Sequence, residues 1–293
     1  MLLHRLRVVL EMIKIEHTLF ALPFALTGMV LAAEGWPEAR TFGWIVVAMV
    51  GARSAAMGFN RLVDRRIDAE NPRTRSRALP AGLVSPGFVA AFVAAALALL
   101  LVAAWQLNPL CLVLAAVAVP VLLGYSYTKR FTAASHAVLG LALAGAPLGA
   151  WVAVRGDLAP TPWLLAGAVA SWVAGFDVLY ALQDESFDRA AGLHSIPARL
   201  GTLAALWISA ALHAVTLALL ATLPFIYPPG LGLGYWIGVA GCAALLAAQH
   251  AVVRPHDLSR LDAAFFTANG LLAVWLFGAT ALDLLVRRGG GPA

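Results

Sequence analysis

Long apolar stretches separated by short polar segments set the pattern of this chain. Windows long enough to cross about 30 Å of hydrocarbon lie near residues 14–33, 41–60, 86–105, 108–126, 133–154, 163–182, 202–223, 232–253 and 264–286. This predicts an all-α polytopic membrane protein, about nine transmembrane helices in one bundle around a central cavity, with the lipid bilayer as its surroundings. Pro23, Pro120 and Pro147 fall inside spans, where each marks either an interior pocket or merely a packed kink whose freed carbonyls find partners on neighbouring helices. Gly140, Gly145 and Gly149 are expected to permit close helix packing. Residues 1–293 read as a single membrane-embedded domain, and the motif spacing described below is compatible with two similar halves.

Composition agrees with this reading: 61% of residues are hydrophobic, 12% are charged, and the mean hydropathy is +0.84. The first stretch, Thr18 to Ala33, lacks an Ala-x-Ala exit and is followed by further spans, which speaks against a removed signal. Cys111 and Cys242 both lie in apolar runs and read as small core residues. The net charge of +5 has no soluble basic domain to carry it, so no nucleic acid is expected. Its placement speaks of topology instead. Arg5, Arg7, Lys14, the loop from Arg61 to Arg77, Lys129, Arg130, Arg189, Arg199, Arg254 and Arg260 fall on one side. Arg40, Arg155, Arg287 and Arg288 fall on the other. The positive-inside rule makes the first side cytoplasmic, in the cell (inner) membrane, with the tail arginines as the exception.

The polar residues at the span ends carry the chemistry. Asn60, Asp64 and Asp68 form one ladder, and Tyr180, Asp184 and Asp188 another, with 120 residues between corresponding acids. Spacing of i, i+4, i+8 puts each ladder on one face of an α-helix. A solvated, salt-bridged rim is the plain alternative, with Arg61, Arg65 and Arg66 beside the first ladder. Two ladders of equal spacing fit a site better, since an Asp facing the bilayer centre costs roughly 2.5–3.5 kcal/mol on insertion scales. Oxygen ligands without thiolate or imidazole suit Mg²⁺, which is normally shared with phosphate oxygens. Both ladders are predicted to work on a diphosphate at the membrane face.

Between and after the ladders run cationic segments. Asn71-Pro72-Arg73-Thr74-Arg75-Ser76-Arg77 precedes Pro80 and Gly82, a basic loop suited to bidentate phosphate contacts. Lys129 and Arg130 close the fourth span and would complement a departing diphosphate, with snorkelling anchors as the alternative. Lys14 is placed to reach the same site from the first helix. His194, in the loop after the second ladder, reads as a solvated or capping residue.

The pattern Asn60-Arg61-x-x-Asp64-x-x-x-Asp68, then Asn71-x-Arg73-Thr74-x-x-Arg77, then Asp177-x-x-Tyr180-x-x-x-Asp184-x-x-x-Asp188 resembles the two signature motifs of the UbiA-type intramembrane prenyltransferases. The resemblance covers nearly the whole chain. It implies two Mg²⁺ ions held by Asn60, Asp64, Asp184 and Asp188, bridging the diphosphate of an allylic polyprenyl donor, with Asp68, also among the metal residues, and Asp177 supporting the site. It further implies that Lys14, Arg73, Arg77, Lys129 and Arg130 contact diphosphate or order the loops, and that Tyr180 lines the reaction centre. Arg61 departs from the pattern, as many members carry a second acid there. The implied reaction ionises the donor to an allylic cation, with Phe59, Phe176 or Tyr180 as stabilising faces, and an aromatic acid acceptor then attacks. The Asn60-Arg61 pair and the Glu16 to Phe20 opening look most like quinone-pathway members, ubiquinone or menaquinone, with hydroxybenzoate-type or dihydroxynaphthoate-type acceptors. A transporter with acidic sites is the alternative from another class. Transporters hold substrate near the midplane, whereas both ladders lie at helix ends.

Overall fold

A computed structural model describes residues 8–9, 11–12, 18–253, 258, 261 and 267–289. Lys14, and with it Arg5, Arg7, Arg254 and Arg260 of the charge count, lies outside the described residues. Helices alone appear among the described residues: α1 (Thr18–Ala33), α2 (Ala39–Glu70), α3 (Pro86–Leu107), α4 (Pro109–Thr128), α5 (Ser135–Arg155) and α6 (Pro160–Tyr180), followed by a 3-10 turn (Ala181–Asp184) and the short α7 (Glu185–Ala190). Then come α8 (Ile196–Ile226), α9 (Leu233–Val252) and α10 (Asn269–Gly289). Eight of these are long and apolar enough to cross a membrane, and α1 is a shorter apolar helix in the place of the first predicted window.

Local chemistry sets the ends. Ser85 caps α3 by accepting from Phe88 N–H at 3.2 Å, ahead of Pro86 in the first turn. Asn108 caps α4 by accepting from Cys111 N–H at 2.9 Å and donates from Nδ2 to the Val152 carbonyl at 2.7 Å, tying α4 to α5. In α8, Gly201 adopts φ 80° and ψ 169°, a conformation only glycine takes without strain, so the turn before it separates from the long span after it. The predicted window began at residue 202, and the five residues before the break belong to the acidic end.

Helix α6 is the axis of the bundle, with 67% of its span buried, and packs against α5 on one side and α8 on the other. Trp172 stacks between Phe24 and Phe176 with ring centroids 4.8 Å away on each side. Phe176 is therefore a core residue, wedged against Trp172, rather than a face open to an allylic cation. Helices α1 and α5 touch where the Gly28 backbone meets the Pro147 backbone, so two proline-bearing helices nest at a residue without Cβ. Gly140 likewise lies directly on the Ala170 carbonyl. Gly145 and Gly149 behave differently: neither has a close neighbour, and both line a cavity. Their small size makes room instead of closing it.

That cavity, of about 600 Å³, is walled by α2, α3, α4, α5 and α6. Its lining is almost wholly Ala, Leu, Val and Gly, and the polar exceptions are Arg53 and Tyr125. Val117, Leu141 and Trp163 line it and are also exposed on the outer surface, so its flank opens towards lipid.

At the end opposite the acidic motifs, α10 is tied down by polar contacts. Asp283 accepts from the N–H groups of Gly232 and Gly234 at 2.7 and 3.0 Å, satisfying the start of α9. Arg287 donates to the Pro229 carbonyl at 3.0 Å and Arg288 to the Ala33 carbonyl at 2.9 Å. This accounts for the tail arginines that break the charge rule: Arg288 binds the last carbonyl of α1 and Arg287 a carbonyl of the loop between α8 and α9, and α10 keeps the alternation of the other spans.

Candidate active site

Helix α2 runs past its apolar stretch to Glu70 and carries the first ladder on its last three turns. Asp64 and Asp68 are buried there, and each is met by cations from other segments. Asn60 Nδ2 donates to Asp64 Oδ2 at 3.0 Å. Lys129 Nζ lies 3.4 Å from the same oxygen, and Arg130 Nη2 donates to Asp64 Oδ1 at 3.2 Å and to the Val63 carbonyl at 2.8 Å. Arg77 donates to Asp68 Oδ1 at 2.8 Å, while Arg61 is buried and sits 3.9 Å from Asp68 Oδ2. Thr74 Oγ1 fixes the loop by donating to the Asp68 carbonyl at 3.0 Å.

The second ladder is not on one continuous helix. Helix α6 ends at Tyr180, the 3-10 turn carries Asp184, and Asp188 lies on α7. A 3-10 turn winds more tightly than an α-turn, so the i, i+4 rule stops at Tyr180 and Asp184 swings towards the first motif. There Arg73 donates from Nε to Asp184 Oδ1 at 2.9 Å and from Nη2 to Asp184 Oδ2. Asn71 Nδ2 donates to Asp184 Oδ1 at 2.9 Å, and Asn71 Oδ1 accepts the Arg73 N–H at 2.9 Å. Arg73 also donates from Nη1 to Tyr180 Oη at 3.2 Å, with its guanidinium 5.3 Å from the ring centroid. Burial works against the charge on Arg73, and the bonds and charge of Asp184 outweigh it, holding the guanidinium above its usual range.

Lys129 reaches both motifs, since its charge also acts on Asp184 and Asp188. Its own carbonyl accepts the His194 N–H at 2.7 Å, which pins the loop after α7 to the end of α4. Asp188 is buried and hydrogen-bonded to Ser195. Asp177 bonds to His136, Nδ1 to Oδ2, at 2.6 Å. Among the described residues no three acidic, histidine or cysteine side chains are gathered closely enough to hold a metal ion on their own. The acids face cationic side chains of the intervening loops instead.

Of the predicted residues, the fold brings together Asn60, Asp64, Asp68, Arg73, Arg77, Lys129, Arg130, Asp177, Tyr180, Asp184 and Asp188. Arg75 is exposed, and Phe59 packs edge-on against Tyr127 at 6.0 Å. Sequence reasoning passed over Arg53, His136 and the side-chain role of Asn71. A charge inside the apolar window 41–60 was the available signal for Arg53, because intramembrane ionisable residues default to function.

The match to the UbiA prenyltransferase family model spans residues 21–275, most of the chain. The chain belongs to the UbiA prenyltransferase family. A 4-hydroxybenzoate octaprenyltransferase from Cupriavidus necator is 33% identical over 293 residues, covering 98% of this chain and 100% of that protein. The apo structure of a UbiA homolog from Aeropyrum pernix K1 superposes with a TM-score of 0.83 at 35% identity, over 92% of this chain and 98% of that one. A UbiA homolog from Archaeoglobus fulgidus, bound to DMAPP and Mg²⁺, shares the fold at 18% identity and a TM-score of 0.71, over 95% and 99%. This prenyltransferase is thus a membrane enzyme of the UbiA fold, and its acidic motifs and basic loops meet at one end of the helical bundle.

Proposed function

We propose that the protein transfers a polyprenyl group from an allylic polyprenyl diphosphate to a hydroxylated aromatic acid of the 4-hydroxybenzoate type, with Mg²⁺, at the cytoplasmic face of the inner membrane. The observation that carries this reading is the basic frame joining the two acidic motifs, Arg73 on Asp184 and Lys129 on Asp64, at the end of an apolar cavity. Acids to hold a metal, cations to hold phosphate and an apolar bed open to lipid are the three parts such a donor requires.

The donor set suits a hard cation. It is all oxygen, and Asp68 Oδ2 is buried with no hydrogen-bond partner among the described residues. Asn60, Asp64, Asp68, Asp184 and Asp188 would hold Mg²⁺, which when bound neutralises the diphosphate as it leaves. Arg73, Arg77, Lys129 and Arg130 are already fixed beside these carboxylates and present N–H groups where phosphate oxygens gather charge. Tyr180 is oriented by Arg73 at the same place. The cavity takes the hydrocarbon chain, keeps water from the reacting carbon, and lets a long tail leave through the flank at Val117, Leu141 and Trp163.

Arg53 supports an acidic acceptor. It stands on α2 two turns below Asn60, in a wall that is apolar apart from Tyr125, and a guanidinium there matches a carboxylate bidentately. The names of the curated relatives, 4-hydroxybenzoate octaprenyltransferase and solanesyltransferase, favour a hydroxybenzoate over a dihydroxynaphthoate. The test is purified protein in lipid with Mg²⁺ and labelled polyprenyl diphosphate, offered 4-hydroxybenzoate, a dihydroxynaphthoate and a phenol without carboxylate. Prenylated hydroxybenzoate is the expected product. Failure of every aromatic acid to accept the chain would end this reading.

A further inference from the structure

His136 lies at the first turn of α5, is 4% exposed, and has both ring nitrogens engaged. Nε2 faces the Ile196 N–H at 3.3 Å, and Nδ1 faces Asp177 Oδ2 at 2.6 Å. A backbone N–H only donates, so Nε2 accepts and the ring proton sits on Nδ1, donated to Asp177. The same N–H belongs to the first turn of α8, whose free donors and positive end call for a lone pair. The tautomer of His136 is thereby set by the neighbouring helix end.

Asp177 differs from the motif acids that pair with cations. Asp64, Asp68 and Asp184 each form an ion pair with Lys or Arg, whereas among the described residues Asp177 pairs with His136 alone. Asp177 stands on α6 one turn before Tyr180, whose hydroxyl is held by Arg73 beside Asp184. In the prenyl-transfer reading, a carboxylate next to that group is placed to meet the positive charge that develops. Its rotamer matters there, because a misplacement of about 1 Å from the productive geometry costs on the order of 10²-fold in rate.

We propose that His136 is a positioning residue for Asp177: the Ile196 N–H locks Nε2 as acceptor, so that Nδ1–H holds the Asp177 carboxylate in one orientation, one helical turn before Tyr180. This inference rests on the prenyl-transfer reading for its kinetic consequence and on the His136 contacts alone for its tautomer.

Two near-isosteres separate positioning from a merely structural strap. His136→Asn keeps a donor at the Nδ1 place and loses the acceptor, while His136→Gln keeps an acceptor at the Nε2 place and loses the donor. In folded protein, His136→Ala and His136→Gln are expected to lower kcat by about 10²-fold with KM for both substrates little changed. His136→Asn recovers most of that loss. Recovery by Gln instead of Asn, or normal kcat in the Ala variant, overturns the proposal. If the wild-type protein transfers no prenyl group, the reaction reading fails, and ¹⁵N NMR of histidine-labelled protein still decides the tautomer. A signal lost in His136→Asn that reports Nδ1 protonation supports the proposal, and Nε2 protonation refutes it.

Discussion

Arg73 and Asp184, 111 residues apart, are joined by two hydrogen bonds that lock the loop after the first acidic motif onto the second. The pair is the same fork-on-carboxylate geometry that Arg makes with phosphate. In the proposed reaction the guanidinium therefore serves twice, holding the two motifs together and meeting the diphosphate.

Replacing Arg73 should cost both roles. Arg73→Ala is expected to lower single-turnover prenyl transfer by about 10²–10³-fold. Arg73→Lys should fail to restore it, because an ammonium cannot form the fork. Full activity in the Lys variant would reduce Arg73 to a simple charge.

Lys129→Ala tests whether this residue is an anchor or part of the site. Its Nζ, 3.4 Å from Asp64, should be worth a loss of about 10²-fold in the ionisation step with insertion unchanged. Altered insertion with normal turnover in the folded fraction would return Lys129 to the role of a snorkelling side chain.

Arg53→Leu should raise KM for the aromatic acid by 10-fold or more and leave KM for the polyprenyl diphosphate unchanged, as measured by steady-state kinetics with each substrate varied. The reverse pattern would place Arg53 on the donor side.

Two glycines give a stability test. At Gly140 a methyl would meet the Ala170 carbonyl, so Gly140→Ala should destabilise by about 1–3 kcal/mol, whereas Gly145 has open space and Gly145→Ala should melt like the wild type. Thermal unfolding in detergent compares them. Equal melting of both variants would mean that α5 and α6 are not in backbone contact at Gly140.

Orientation is open to labelling. Cysteines at Ser76 and Ala191, both exposed at the acidic end, should resist an impermeant thiol reagent in intact cells and react in inverted vesicles. A cysteine at Glu38, at the other end, should do the opposite. Ser195 is unsuitable, since it is buried as the cap of α8. Labelling of the first pair from outside would reverse the topology.

The spans and the first ladder were legible because a bilayer imposes length and hydropathy, and because α2 continues unbroken through Asp68. The second ladder was legible as residues but not as geometry: nothing in Tyr180 to Asp188 announces the 3-10 turn that carries Asp184 across to Arg73. Phe176 looked like a candidate face beside Asp177, yet neighbouring residues on a helix point to different sides, and Phe176 turns into the Trp172 stack. The tail arginines misled the charge count because their partners, the carbonyls of Ala33 at the end of α1 and Pro229 in the α8–α9 loop, are distant in sequence. His136 was silent for the same reason, as its two partners lie 41 and 60 residues away.

If the two acidic motifs act as one Mg²⁺-dependent diphosphate site, the metal and each motif are indispensable to transfer. Single-turnover prenyl transfer should be followed in chelator and on stepwise addition of Mg²⁺, for the wild type, Asp64→Ala and Asp184→Ala, each verified as folded. No transfer is expected in chelator, with recovery in the wild type on adding Mg²⁺ and a loss of about 10³-fold or more in both variants at any Mg²⁺ concentration. Metal-independent transfer, or near-normal rates in either variant, would contradict a single shared site.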